Sequence, residues 1–486
     1  MKRLLAAFTA VVVLALLGTT ALYAQGVTTS SIRAVVKDPG GTPLAGARVT
    51  ATHTPSGTSY GGTTSQDGRV VIPGMRIGGP YQVTVAAIGF ERQVRGEIYL
   101  TLGVATDLQF EMRQAAVGLS EIVVTAERVF SSERTGAATT VGAQAIQQLP
   151  TVLGRIEDFT RLTPQARGTS FVGQDNRLNN ITVDGSYFNN SFGLGGQPGD
   201  RTGVAPISMD AIEQIQVNIA PYDVRQGNFV GAGVNTVTKS GTNEFTGSVY
   251  YGWRNDGLVG TKTGDLTYDP GTFKYNKFGA RFGGPIIKNK LFFFASYEDD
   301  GLTQPGTTWT ANAGGEAIEG TKTRVLASDL DALSSYLQDK FDFNPGPYQG
   351  YDFQTPARRY LAKIDYNLNE RNKISLRYNH LDSDTDVLMS NSSSLGFGNR
   401  RTRPDALNFQ GSNYKILENI RSIVGEWNSV IGSNKSNNLI IGYNYSDESR
   451  GYVIDRLFPM VDVLKDGSTY TSFGFEPFTP NNETRY

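Results

Sequence analysis

The chain has 486 residues, 45 Lys+Arg against 46 Asp+Glu, a net charge of −1 and no cysteine. That balance gives no reason to expect nucleic acid as a partner, and the missing thiols exclude disulfides, thiolate metal sites and cysteine nucleophiles. His53 and His380 are the only histidines; they are too few for a histidine metal centre or a Ser-His triad and are read as exposed or incidental.

In chain order, Lys2 and Arg3 precede an apolar run from Leu4 to Leu17 broken only by Thr9, and Ala24 offers a cleavage point before Gln25. Residues 1–24 are therefore predicted to be a cleaved signal peptide. No later apolar run approaches the ~20 residues a membrane helix needs, so any membrane span must be a barrel. Residues 25–113 predict a small β-sandwich. Ala47-Val49-Ala51, Tyr81-Val83-Val85 and Leu108-Phe110-Met112 alternate with polar residues, and Asp38-Pro39-Gly40-Gly41, Gln66-Asp67-Gly68 and Gly78-Gly79-Pro80 supply turns.

Residues 114–130 read as a linker holding a short β-prone segment, Glu121-Ile122-Val123-Val124-Thr125-Ala126. An exposed strand of this kind invites pairing, either with a partner chain by strand addition or as the last strand of the sandwich or the first of the next domain. Residues 131–243 predict a compact α/β domain. Ala143-Ile146-Leu149 and Leu153-Ile156-Phe159-Leu162 have helical spacing, whereas Ile181–Gly185 and Ile215-Val217-Ile219 alternate as strands. The glycine-rich stretch from Phe192 to Gly203 lacks phosphate-loop spacing.

From residue 244 to 486 the pattern is that of transmembrane strands with one apolar and one polar face. These are Val249-Tyr251-Trp253, Phe278-Ala280-Phe282, Leu291–Tyr297, Tyr360–Tyr366, Ile374–Tyr378, Ile423–Trp427 and Leu439–Tyr445. Short turns such as Lys288-Asn289-Lys290 and Asn369–Asn372 alternate with long connections, the signature of periplasmic turns and outer loops. The longest loop is predicted to hold a helix with Leu326, Leu330, Leu333 and Leu337 on one face. Roughly seven strands fall short of the ~22 of plugged transporters, so the barrel is expected to be incomplete and the sequence a fragment.

Three stretches resemble known families. Lys37–Val49, with Thr64–Gly68, Tyr81–Val85 and Gly89-Phe90, is similar to carboxypeptidase regulatory-like domains, although Ala34 stands where glycine is usual and Val70 where an aromatic is usual. The resemblance implies an accessory sandwich without zinc ligands; sugar binding would rest on fold analogy alone. Glu121–Ala126 resembles a TonB box, where the periplasmic domain of TonB adds a strand. Arg177–Gly185, Ala211–Val217, Ala220–Gly227 and Gly231–Asn243 resemble the plug of TonB-dependent receptors of the Oar-like type. That resemblance implies a plug that closes the barrel lumen until TonB pulls.

The expected fold is thus mainly β: a prealbumin-like β-sandwich, an α/β plug and the first part of an antiparallel transmembrane barrel. The plug charges Arg155, Glu157, Asp158, Arg161, Arg177, Asp184, Glu213, Asp223 and Arg225 are expected to offer salt bridges to a polar wall. The expected function is uptake of an unidentified ligand across the outer membrane, with TonB and membrane lipid as partners. No cofactor, metal or catalytic residue is expected. The alternative is a barrel-anchored surface adhesion or sugar-binding protein, for which residues 121–126 would be dispensable.

Overall fold

A computed structural model of the chain describes residues 27–115, 122–125, 137–151, 154–189, 196–219, 226–227, 229–267, 269–391, 400–432, 435–454 and 456–475. The signal peptide expected at the N-terminus lies outside the described residues.

The alternation read in residues 25–113 closes two sheets on each other. β1 (Ser30–Lys37) lies between β4 (Arg69–Met75) and, in parallel, β7 (Ala105–Glu111). The facing sheet contains β2 (Arg48–His53), β3 (Thr58–Thr63), β5 (Gly78–Ala86), β6 (Gln93–Leu100) and β8 (Ile122–Thr125), in the order β3-β2-β5-β6-β8. Every second residue points inward, so Ile32, Val49, Tyr81, Val83 and Phe110 meet in one apolar core. His53, expected to be exposed or incidental, is buried at the edge of this core. Its Nδ1 lies 2.7 Å from Ser56 Oγ, and its ring is tilted 5.0 Å from that of Tyr81.

A second domain is built on β9 (Ala137–Gly142), the helices Ala143–Gln148 and Glu157–Thr160, and a small pair, β10 (Ala166–Arg167) with β11 (Ser170–Phe171). Its main sheet adds β12 (Asn180–Val183), β13 (Ser186–Tyr187), β14 (Ile212–Ile219) and β15 (Gly233–Thr238), in the order β13-β12-β15-β14-β9. The second predicted helix is only four residues long; Leu153, from its pattern, is outside the described residues. Ile215 and Val217 enter the domain core, and Gln216 and Asn218 are buried as well, so both faces of β14 are covered.

Seven long strands follow in one antiparallel sheet. They are β16 (Thr246–Asn255), β19 (Lys274–Ile287), β20 (Leu291–Pro305), β23 (Asp352–Asn369), β24 (Asn372–Val387), β25 (Tyr414–Ile431) and β26 (Lys435–Asp447). Between the first two lies the pair β17 (Lys262–Thr263) and β18 (Leu266–Thr267). The residues expected to face lipid are exposed, with Val249 at 73% and Ile441 at 67%, and Tyr251, Trp253, Phe282, Leu376, Trp427 and Tyr443 among the others. The opposite face is covered by the second domain, which we call the inner domain. Several strands run beyond the lengths the apolar pattern implies. The pairing of Asp299↔Arg358 through Pro305↔Asp352 continues where the outward face turns polar, with Asp299, Thr303, Gln354 and Arg358 on it.

The long connections fold together. β21 (Thr310–Asn312), β22 (Lys322–Leu326), the helix Ala327–Phe341, and β28 (Val461–Lys465) with β29 (Ser468–Phe473) share a core of Leu330, Leu337, Phe343, Leu407, Phe409 and Phe473. A short strand, β27 (Arg450–Tyr452), pairs with the outer end of β25.

Burial and the nearby Arg76 guanidinium push the His53 imidazole down to about 3. The unfolded chain then binds the proton that the folded chain refuses. His53 therefore costs nothing above its ordinary pKa of about 6.5 and destabilises the sandwich increasingly as pH falls from there toward about 3. At roughly 1.4 kcal/mol per pH unit, the loss is at most about 5 kcal/mol. Urea titrations of wild type and His53→Gln are expected to converge in slope at neutral pH and diverge across this acid window, with the wild type falling more steeply. Parallel pH profiles would contradict this.

Candidate functional site

The inner domain is seated on the barrel wall through its tightest turn. β12 and β13 pair Val183 with Ser186, which leaves Asp184-Gly185 as a two-residue loop, and both residues have positive φ, +46° and +77°. An Asp-Gly pair suits this mirror-image hairpin turn because glycine has no Cβ and aspartate tolerates the left-handed region. The turn carries the Asp184 carboxylate into the wall, 3.4 Å from Arg377 on β24 and 3.6 Å from Lys363 on β23. Thr238 of β15 donates its backbone N–H at 2.9 Å and its hydroxyl at 2.7 Å to the same carboxylate. Burial alone would raise the Asp184 pKa, but Lys363, Arg377 and the Thr238 hydrogen bonds outweigh it and hold the carboxyl below its usual range.

A second ionic centre lies at the start of β14. Asp210 accepts from Ser248 and Arg281 on the wall, the latter at 2.8 Å, and pairs with Lys239 of its own domain at 3.4 Å. Higher on the wall, Arg359 bridges Glu298 at 2.9 Å and Asp300 at 2.6 Å and donates to the Ala205 carbonyl of the inner domain. Glu418 accepts the backbone N–H groups of Gly199 and Thr202 at 2.6 and 3.2 Å. Between these polar contacts, wall residues Phe294, Leu361, Leu381 and Ile420 join the inner domain's own apolar core.

The sandwich meets both other parts at the end of the sheet where the short turns lie. Gln214 accepts the Leu102 N–H at 2.7 Å, and Gln216 Nε2 donates to the Leu102 carbonyl at 2.5 Å, so two side chains of β14 hold one residue of the β6–β7 turn. Arg76 donates to the Gly241 and Ser240 carbonyls at 3.1 and 3.2 Å. Val27, Ile77, Leu102 and Val237 pack the seam. On the barrel side, Asn367 donates to Thr58 at 2.8 Å and Arg48 pairs with Glu370 at 3.2 Å. The three parts enclose a polar cavity of about 90 Å³ bordered by Tyr60, Arg76, Asp184, Glu213, Lys363 and Glu426. It has room for ordered water rather than for a sizeable ligand.

Of the candidate strand-addition segment, Ile122–Thr125 is a strand paired in parallel with β6: Gln93↔Ile122, Val94↔Val123, Arg95↔Val124 and Gly96↔Thr125. Glu121 and Ala126 lie outside the described residues. Residues read as a linker thus contain the fifth strand of a sandwich sheet. Among the plug charges expected to reach the wall, Asp184 does so. Arg177 instead pairs locally with Asp175 at 2.8 Å, and Arg161 donates to the Pro150 carbonyl. Glu213 borders the cavity, Asp158 accepts the Arg155 N–H, and Asp223 and Arg225 are outside the described residues. Asp210, Lys239, Gln214 and Gln216 were not singled out as contacts. Their signal was faint, a charge or amide at each inward step beside β14. Among the described residues no group of three or more His, Cys, Asp or Glu is arranged to hold a metal ion.

Comparison with known proteins agrees with this geometry. The carboxypeptidase regulatory-like domain family matches residues 31–113, and the outer membrane beta barrel domain family matches residues 237–313. This is an outer-membrane β-barrel chain. Over 247 residues, 47% of the chain, it is 28% identical to the TonB-dependent transporter Oar of Myxococcus xanthus, and the match spans 21% of that protein. Among solved structures it is similar to the outer membrane transporter YddB from Escherichia coli, at 12% identity and a TM-score of 0.48, over 70% of this chain and 43% of that one. It is also similar to a ferric enterobactin receptor mutant from Pseudomonas aeruginosa, at 15% identity and a TM-score of 0.43, over 73% and 45%. The chain spans about a fifth of the curated relative and less than half of either solved structure.

The grip on Leu102 is open to direct test. Replacing Gln214 and Gln216 together by alanine removes both hydrogen bonds of this peptide segment, worth about 1–3 kcal/mol. The Leu102 amide is expected to exchange its hydrogen at least about tenfold faster, while amides in the centre of β5 stay unchanged. Unaltered exchange at Leu102 would show that the seam rests on its apolar contacts instead.

Proposed function

We propose that the chain forms the coupling segment, plug and first barrel strands of a TonB-dependent transporter that takes up a still unidentified ligand across the outer membrane. The inner domain, residues 131–243, is the plug, behind a signal peptide over 1–24, a sandwich over 25–113 and a linker over 114–130. The barrel begins at 244. The observation that carries this reading is how the inner wall is neutralised. Arg377, Lys363, Arg281 and Glu418, on strands whose other face is apolar, are met by a separate domain that fills their side of the sheet. A wall lined with charge suits a lumen that is aqueous when the domain leaves. The likeness to a TonB-dependent transporter supports the same reading.

Energy would come from the periplasmic domain of TonB adding a strand to the segment Glu121–Ala126, since the edge of a β-prone segment provides affinity through main-chain hydrogen bonds. Ligand would bind among the outer loops, whose shared core makes them a formed surface rather than separate flexible excursions. The chain's own residues supply binding and gating, and no bond-making step is assigned to any of them. The surface-adhesion alternative draws on the same outer loops but has no use for the segment 121–126.

A peptide spanning residues 113–130 is expected to bind the periplasmic domain of TonB, and Val123→Pro, which removes a ladder N–H and restrains the strand, is expected to weaken binding at least about tenfold. Equal or absent binding by both peptides would favour the adhesion alternative.

A further inference from the structure

We propose that the sandwich is a docking platform that presents Ile122–Thr125 as a preformed strand, so that TonB extends an existing sheet instead of capturing a loose peptide. The proposal rests on the coupling reading above and adds to it a role for the sandwich.

Three observations carry it. β8 is paired on one side only. Successive residues of a strand direct their N–H and C=O groups to alternate sides, and β6 takes one set through the register Gln93↔Ile122 to Gly96↔Thr125. No other strand among the described residues pairs with β8, so its outer side offers a second ladder.

The platform also points the right way. The sheet order β3-β2-β5-β6-β8 puts the coupling strand at the edge opposite β3. β3 touches the barrel, through Thr58 to Asn367 at 2.8 Å and the Ser59 carbonyl to Lys373 at 3.3 Å, and its neighbour β2 does so through Arg48 to Glu370 at 3.2 Å. Four strand spacings, roughly 19 Å, separate the barrel-facing edge from the presented one. A periplasmic partner can therefore approach β8 without meeting the membrane.

Finally, the platform is joined to the plug. β6 ends at Leu100, and two residues later Leu102 is held by Gln214 and Gln216 of β14. Tension applied to β8 thus has a non-covalent path through β6 into the central sheet of the inner domain, beside the covalent path through the linker. An ordered strand also needs less ordering on binding than a free peptide, which favours the complex.

The absence of cysteine permits a clean test. Neighbouring strands lie about 4.8 Å apart, within the range a disulfide bridges. A Cβ added at Gly96 meets nothing within 4 Å, so the double variant Gly96→Cys with Thr125→Cys pins β8 to β6 without crowding. Binding of the periplasmic domain of TonB is measured to the wild-type chain, to the double variant oxidised and reduced, and to the 113–130 peptide. The disulfide is expected to form in the folded chain. The oxidised form should bind within about threefold of the wild type, and the chain should bind about tenfold or more tighter than the peptide. Three results overturn the proposal while leaving the coupling reading intact. They are failure of the disulfide to form, loss of binding on oxidation with recovery on reduction, or a chain no tighter than the peptide. If neither wild-type chain nor peptide binds, the coupling reading itself falls, and the proposal with it.

Discussion

The seat of the inner domain on the barrel wall turns on one buried carboxylate that is shared between two domains. Asp184 sits at the tip of a two-residue turn of the inner domain, and Arg377 and Lys363 of the wall close on it at 3.4 and 3.6 Å. Any one of the three left alone in that place would be a desolvated charge. Removing a single partner from such a group therefore costs far more than the group contributes as a whole. Separation of the complete inner domain from the wall would be a different event. Both sides of the contact then return to water, and the desolvation cost of the pair is recovered. A polar seat can thus be specific in register and still be reversible, which an entirely apolar seat of the same area would not be.

The apolar residues of the wall qualify that picture. Phe294, Leu361, Leu381 and Ile420 contribute to a core continuous with the inner domain's own, so the interface is a mixture of ion pairs and hydrophobic contact. The ion pairs and backbone contacts fix where the inner domain sits, because each demands a particular geometry. The apolar patches resist water entry between them. At the seam, the sandwich adds a further layer through Leu102, Arg76 and Val27. The inner domain is consequently held from the wall side by charge and apolar contact, and from the sandwich side by amide hydrogen bonds and the packing around Leu102.

Much of this was legible in the sequence because a lipid-facing strand, a sandwich strand and an Asp-Gly turn each have a short-range pattern. All seven wall strands and their outward faces follow from period-two alternation, as with Val249, Tyr251 and Trp253. The helix carrying Leu330 and Leu337 follows from its spacing. What could not be read is long-range. Nothing local distinguishes Asp184, which reaches the wall, from Arg177, which folds back on Asp175. Outer strand ends such as Asp299–Pro305 lose apolar alternation while keeping their hydrogen bonds, so they read as loop. His53 appeared incidental because burial depends on Tyr81, 28 positions along the chain and brought beside it by β2–β5 pairing. The segment Ile122–Thr125 was recognisable as strand-forming, but its pairing with β6 depends on an edge the sequence does not mark.

The most direct measurement is a double-mutant cycle on Asp184 and Arg377, with Asp184→Asn, Arg377→Met and the pair. The readout is the urea dependence of hydrogen exchange in β12. If the shared carboxylate anchors the inner domain, Asp184→Asn should destabilise it by about 3–5 kcal/mol and the double variant by less than the sum, a coupling of about 1–3 kcal/mol. Additive single effects below about 0.5 kcal/mol would place the anchor elsewhere and contradict the account.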